Sequence, residues 1–396
     1  MIPTMSYAWI VRIINYFIPV KKKTWVFSAD YGRTYREGSK YLLEYMLQKH
    51  SDYECFFITR NKNVKNDLEK RGIPCLMNFS LMGIWEVSRA EAVFACQSFG
   101  DIVFAYKKKG RKFFFLGHGM PYKKAMLALS DDYKEKFFTP NRSIKDKIKN
   151  KLGKLFVNEV TVCDSAFHIA TSEFLIPYVQ AYYGNTMPIS VIEMPRNDAL
   201  YQHERFINEK WVKGIEGKFV ITFMPTHRNY GKGELTPVPF KNNIEVQNWM
   251  RENNVVFLMK QHPNMIPLVK DEDSNDVIID VTKLGIDPMT CVFKSDILIT
   301  DHSSVWMDYL LMKRPLLFYR YDNFENDDGG ILYDIKDDFG KFMCYSEKEL
   351  FTKIKDIFYN YESNIPDEKL LRKYHKYTDG KACEHYYNEV EKFLRS

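Results

Sequence analysis

The chain has 396 residues, 45% of them hydrophobic and 27% charged; this excludes a disordered chain and exceeds one ordinary domain. Basic residues outnumber acidic ones by 57 to 51, a net charge of +6, which suits an anionic partner without choosing between a nucleotide, a phospholipid surface and a nucleic acid. Seven scattered cysteines with no C-x-x-C pair argue against a zinc site or a disulfide framework and for a reducing cytoplasm.

Residues 7–20 are apolar but interrupted by Arg12 and Asn15, and Lys21, Lys22 and Lys23 follow. The run is shorter than the roughly 20 residues a membrane span needs, and its charge comes after the apolar stretch, the reverse of a signal peptide. It predicts an amphipathic helix, either lying on a membrane through Trp9, Tyr16 and Phe17 or packed on the domain. Residues 24–29 (TWVFSA), 54–59 (ECFFIT), 92–96 and 112–116 (KFFFL) predict strands, and 36–49 a helix. Residues 134–154 form a basic helical stretch with Ile144, Ile148, Leu152 and Leu155 in register. With the cluster Lys107, Lys108, Lys109, Arg111 and Lys112 it fits either an anionic membrane or a solvated surface.

The pattern restarts after residue 215, with strands expected at 218–223, 255–259, 277–280, 296–300 and 315–319. Continuous apolar runs separated by helices indicate parallel sheets covered on both faces. The fold expected is α/β, two doubly wound domains facing a central cleft: residues 1–205, residues 206–365, and a C-terminal helix in 366–396 that packs back toward the first.

Four motifs sit at the carboxyl ends of expected strands, where such sheets bind ligands. Gly117-His118-Gly119-Met120-Pro121 projects an imidazole from a tight turn, suited to proton transfer near neutral pH. Pro225-Thr226-His227-Arg228 offers a hydroxyl and a guanidinium fork suited to phosphate. Lys260-Gln261-His262-Pro263 places a second imidazole. Thr300-Asp301-His302-Ser303-Ser304 precedes an apolar run, residues 305–312, so its hydroxyls could cap a helix and cradle an anion. Together they describe a diphosphate site on one domain and a proton acceptor on the other. Phosphate-loop, dinucleotide and zinc-protease signatures are missing from the sequence, and the acidic pairs Asp131-Asp132 and Asp327-Asp328 read as solvated loops, so neither a metal nor a cofactor is expected.

In order and spacing, His118-Gly119-Met120-Pro121, Pro195-Arg196-Asn197-Asp198, Pro225-Thr226-His227-Arg228, His262-Pro263 and Asp301-His302-Ser303-Ser304-Val305, with Asp308, Arg314 and Pro315 beyond, resemble the CDP-glycerol glycerophosphotransferase family of teichoic-acid primases and polymerases. The resemblance runs from about residue 113 to 335. It implies a GT-B-like fold and transfer of a polyol phosphate, glycerol phosphate foremost, from CDP-glycerol or CDP-ribitol to a hydroxyl of a lipid-linked or polysaccharide acceptor, with CMP released. Such an enzyme would work at the inner face of the cell membrane, without metal. It further implies His118 as general base and His262 as a second catalytic group that, with Thr226, Arg228, Ser303 and Ser304, contacts the donor phosphates. Asp301, Asp308 and Arg196 would contact the polyol or the nucleotide. Met120, His227 and His302 depart from the family's usual Thr, aromatic and Tyr, which bears on the polyol and the acceptor. The alternative is a glycosyltransferase of the same fold using a CMP- or UDP-sugar. A nucleic-acid partner is not expected, since the sequence has no aromatic-basic stripe of that kind.

Overall fold

A computed structural model describes residues 8–129, 160–206, 211–226, 236–262, 274–322 and 330–396, with side chains from Val11 onward. The basic stretch 134–154, Asp131-Asp132, Asp327-Asp328, His227, Arg228 and Pro263 lie outside the described residues. The chain divides into two compact units: Met1–His118, Met126–Asp198 and Asp379–Ser396 form the first, Gly119–Ala125 and Ala199–Thr378 the second. The boundaries fall at 198/199 and 378/379 instead of 205/206 and 365/366 for packing reasons. Phe206 stacks on Phe293 of the second unit at 4.3 Å, and there Tyr374 meets Trp306 at 4.8 Å while His375 Nε2 lies 2.8 Å from the Met307 carbonyl oxygen.

The first unit is built on β1 (Lys21–Ser28), β2 (Glu54–Thr59), β3 (Cys75–Met77), β4 (Ala90–Ala95) and β5 (Lys112–Phe115), all parallel in the order β3-β2-β1-β4-β5. Its apolar runs are buried on both faces. The aromatic richness of the sequence is absorbed here: Phe94 stacks on Phe27 at 4.5 Å and on Phe114 at 5.1 Å. Helices α1 (Ala8–Phe17), α2 (Glu37–Lys49), α3 (Lys62–Lys70) and α4 (Leu81–Arg89) connect or flank these strands. A two-stranded parallel pair, β6 (His168–Ala170) and β7 (Ile189–Val191), with α5 (Ile176–Tyr183) between its strands, completes the unit.

Helix α1 divides its faces. Val11 and Asn15 turn inward, and Asn15 Nδ2 donates to Ser88 Oγ at 2.9 Å and to the Phe104 carbonyl at 3.1 Å; Ile13, Ile14, Tyr16 and Phe17 stay exposed. The cluster around Lys108 divides: Lys107 and Lys109 are exposed, while Lys108 and Arg111 turn inward. Lys108 Nζ donates to the carbonyls of Asn15, Ile18 and Ser88. Buried Arg111 donates to those of Val87, Ser88, Ala90 and Tyr106. The last carbonyls of a helix lack intrahelical donors, and a cation there satisfies them and the helix dipole together. Lys107 pairs with Asp164 at 2.7 Å.

The second unit carries β8 (Phe219–Phe223), β9 (Val255–Met259), β10 (Ile278–Asp280), β11 (Ile297–Thr300), β12 (Leu316–Tyr319) and β13 (Met343–Cys344), parallel in the order β10-β9-β8-β11-β12-β13. This is the doubly wound order, with the reversal between β8 and β11. Its helices are α6 (Ile244–Glu252), α7 (Pro288–Lys294), α8 (Val305–Leu310), α9 (Lys336–Phe339), α10 (Glu347–Tyr359) and α11 (Glu368–Tyr374). Helix α8 stops short of the run expected to Met312, because Lys313 turns at φ +51° and Arg314 donates to the carbonyls of Phe293 and Ser295. The final helix, α12 (Ala382–Arg395), belongs to the first unit, where Tyr386 packs near Phe167 at 5.3 Å and Tyr387 stacks on His50 at 3.9 Å.

Candidate active site

In the first unit His118 follows β5 on a turn whose glycines have φ +67° (Gly117) and +151° (Gly119). A Cβ is strained in that region, so the turn requires glycine on both sides of the histidine. The ring is solvent-accessible, and Nδ1 lies 3.4 Å from the carbonyl oxygen of Cys96, just past β4. The main-chain oxygen of His118 accepts from Arg196 Nη1 at 2.8 Å, and the same nitrogen donates to Glu37 Oε2 at 2.6 Å. Glu37 opens α2 with φ +60°. Desolvation by the surrounding chain holds the imidazole of His118 below its usual pKa. Glu37 and the Cys96 carbonyl oppose that shift, while Arg196 and Arg36 reinforce it. A neutral imidazole at pH 7 can accept a proton.

The rest of Pro195-Arg196-Asn197-Asp198 ties elements together. Buried Asp198 accepts from the main-chain N–H of Ala382 at 2.5 Å and of Cys383 at 2.8 Å, which caps α12. Burial lifts its carboxyl to about 6 against the pull of those two bonds. Asn197 Nδ2 donates to Glu193 Oε2 at 3.1 Å. Arg196, expected to meet the polyol or the nucleotide, pairs with Glu37 and donates to the backbone of His118.

In the second unit Thr226 and Asp301 meet at the sheet's reversal point. Thr226 lies beyond β8 and Asp301 beyond β11, and the Thr226 N–H donates to Asp301 Oδ1 at 2.7 Å. Asp301, fully buried, also accepts from the N–H of His302. Its carboxylate joins two strand-end loops. Thr226 is buried and its hydroxyl has no hydrogen-bond partner among the described residues, an arrangement native proteins rarely leave unanswered. Ser303 Oγ accepts weakly from the Val305 N–H at 3.4 Å, and Ser304 precedes α8 without a side-chain cap bond. The hydroxyls flank a helix of six residues, shorter than expected. His262 is exposed past β9, and Asp308 is buried on α8.

Two residues that touch these motifs escaped the motif reading. Glu37 reaches Arg196 across 159 positions, a pairing no local pattern announces. Arg320 follows β12 as Thr226 follows β8, so the strand-end rule alone would have found it.

Two doubly wound parallel sheets, one followed by His118 and the other by Thr226, His262 and Ser303 past its strand ends, give a GT-B-like fold. Over residues 10–392 the chain matches the family described as CDP-glycerol:poly(glycerophosphate) glycerophosphotransferase, and it belongs to that family. It is 25% identical to a teichoic acid glycerol-phosphate transferase of Staphylococcus aureus, over 84% of this chain and 83% of that one. It is 24% identical to a teichoic acid poly(glycerol phosphate) polymerase of Bacillus subtilis, over 89% of this chain but 45% of the longer relative. The wall teichoic acid polymerase TagF superposes with a TM-score of 0.72 at 20% identity, over 97% of this chain and 93% of that structure. The protein is thus an enzyme of polyol-phosphate transfer from a CDP-activated donor, of the kind that serves teichoic-acid synthesis.

Proposed function

We propose that the chain transfers glycerol phosphate from CDP-glycerol to a hydroxyl of a lipid-linked or polysaccharide acceptor. The acceptor oxygen attacks the phosphorus that bears the polyol and forms a new P–O bond. The P–O bond to the cytidine phosphate breaks, CMP leaves with that electron pair, and the hydroxyl proton passes to His118. Thr226, His262, Ser303, Ser304 and Arg228 hold the diphosphate, with Asp308 toward the polyol. Asp301 and Arg196 fix the loops that carry these groups. Positioning and charge stabilisation dominate such transfers.

The observation that carries this reading is the treatment of His118: a turn only glycine permits, a backbone oxygen held by Arg196, and a pKa drawn below the usual value. His118→Ala should lower the rate of CMP release in the presence of acceptor by about 10²–10⁴-fold with an unchanged melting temperature. Wild-type turnover in that variant would remove His118 as the base.

The reading extends to the membrane surface, where a lipid-linked acceptor would lie. No helix among the described residues is long and apolar enough to cross a bilayer. Helix α1 packs beside α4, and Ile13, Ile14, Tyr16 and Phe17 of the one and Leu81, Met82 and Trp85 of the other are exposed. Residues 1–29, 71–85 and 102–118 contain no Asp or Glu. Apolar anchors in a carboxylate-free surround suit an anionic leaflet.

A further inference from the structure

Among the described residues three arginines are almost wholly buried: Arg111, Arg196 and Arg320. Two are accounted for. Arg111 spends its N–H groups on four carbonyls, and Arg196 is paired with Glu37. Arg320, 8% exposed, has neither arrangement. One terminal nitrogen meets His302 Nδ1, the other donates to the Tyr122 hydroxyl at 2.8 Å, and Nε has no partner among the described residues. No carboxylate among the described residues pairs with it. The rings of Phe318 at 5.5 Å and Tyr122 at 6.0 Å offset part of the charge, but an aromatic face is no counter-ion. A buried cation without one is strongly unfavourable unless an anion completes it.

The place of Arg320 says which anion. It is the first residue beyond β12, and β12 pairs with β11, with Thr300 opposite Phe318. The continuation of β11 is Asp301-His302-Ser303-Ser304, and His302 itself touches Arg320. The guanidinium therefore stands at the same end of the sheet as Thr226, whose buried hydroxyl also lacks a partner among the described residues. A planar fork matches a phosphate better than any other common donor group.

We infer that Arg320 binds a phosphate of the donor, held in place by His302 and Tyr122. The inference rests on the CDP-donor reading proposed above. It also gives the histidine at position 302 a purpose: with Nδ1 unprotonated it accepts from the guanidinium and orients the fork without neutralising it.

Calorimetric titration with CMP and with cytidine tests this on the full chain, comparing wild type with Arg320→Gln. Wild type should prefer CMP. The variant should bind CMP about 10–100-fold more weakly, the range expected for a charged hydrogen bond, with cytidine affinity unchanged. Its unliganded melting temperature should hold or rise, because an uncompensated charge has been removed. An unchanged CMP affinity, or a lower melting temperature with CMP preference intact, would make Arg320 a structural clamp and overturn the inference. If the glutamine variant does not fold, Arg320→Lys decides: a loss of CMP preference supports the inference, and its retention refutes it. Wild type that binds neither CMP nor CDP-glycerol would defeat the donor reading itself, a result distinct from an indifferent Arg320 variant.

Discussion

Replacing Arg196 with Met separates positioning from chemistry at His118. The substitution removes the 2.6 Å bond to Glu37 and the 2.8 Å bond to the His118 carbonyl. Breaking a fully buried pair costs about 3–5 kcal/mol; Glu37 keeps 17% of its side chain in solvent, so about 2–4 kcal/mol of unfolding free energy should go. Turnover should fall by about 10–100-fold, as misplaced catalytic groups do. The pH profile carries the sharper sign. Arg196 holds the imidazole pKa down and Glu37 pushes it up. Without Arg196, and with Glu37 unpaired, His118 should hold its proton to higher pH, and the acid limb of kcat/KM for CMP release should move upward. Glu37→Gln should move the limb downward. The two profiles, measured on protein shown to be folded by urea titration, make the test. A limb unmoved in Arg196→Met, or moved toward lower pH, would refute the coupling between this cation and His118.

Asp198→Ala should strip the Ala382 and Cys383 amides of their acceptor, speed hydrogen exchange in the first turn of α12, and destabilise the chain by about 1–3 kcal/mol at pH 7. Burial raises this carboxyl to about 6 from 3.8, so the folded state holds the extra proton between those values. Stability from this group is full below about 4 and declines as pH rises to 6; the variant should lack that decline. Acidic substitution on the apolar surface, Leu81→Glu with Phe17→Glu, should abolish flotation with anionic vesicles while CMP release to a soluble acceptor persists; undiminished flotation would remove this surface from the membrane reading.

The strands and the ends that carry the site were legible because both sheets are parallel and buried on both faces, so each strand is a continuous apolar run and each polar residue just past it stands out. His118, Thr226, His262 and Asp301 were placed just past strand ends that way. The roles of Arg196 and Asp198 were not legible, because their partners Glu37, Ala382 and Cys383 are remote in sequence and no periodicity links them. The inward use of Lys108 and Arg111 was hidden for a related reason: composition shows charge, while a cap on helix carbonyls depends on where α1 and α4 end. Helix α8 looked longer because residues 305–312 are apolar, yet a left-handed Lys313 closes it early.

The most direct measurement is to incubate the protein with CDP-glycerol and a phosphodiester-terminated acceptor and to follow both CMP and the acceptor's mass. One CMP released for each glycerol phosphate gained through a new phosphodiester, abolished in His118→Ala, is the outcome expected. Transfer of a sugar from a CMP- or UDP-sugar instead, with no new phosphodiester, would contradict it.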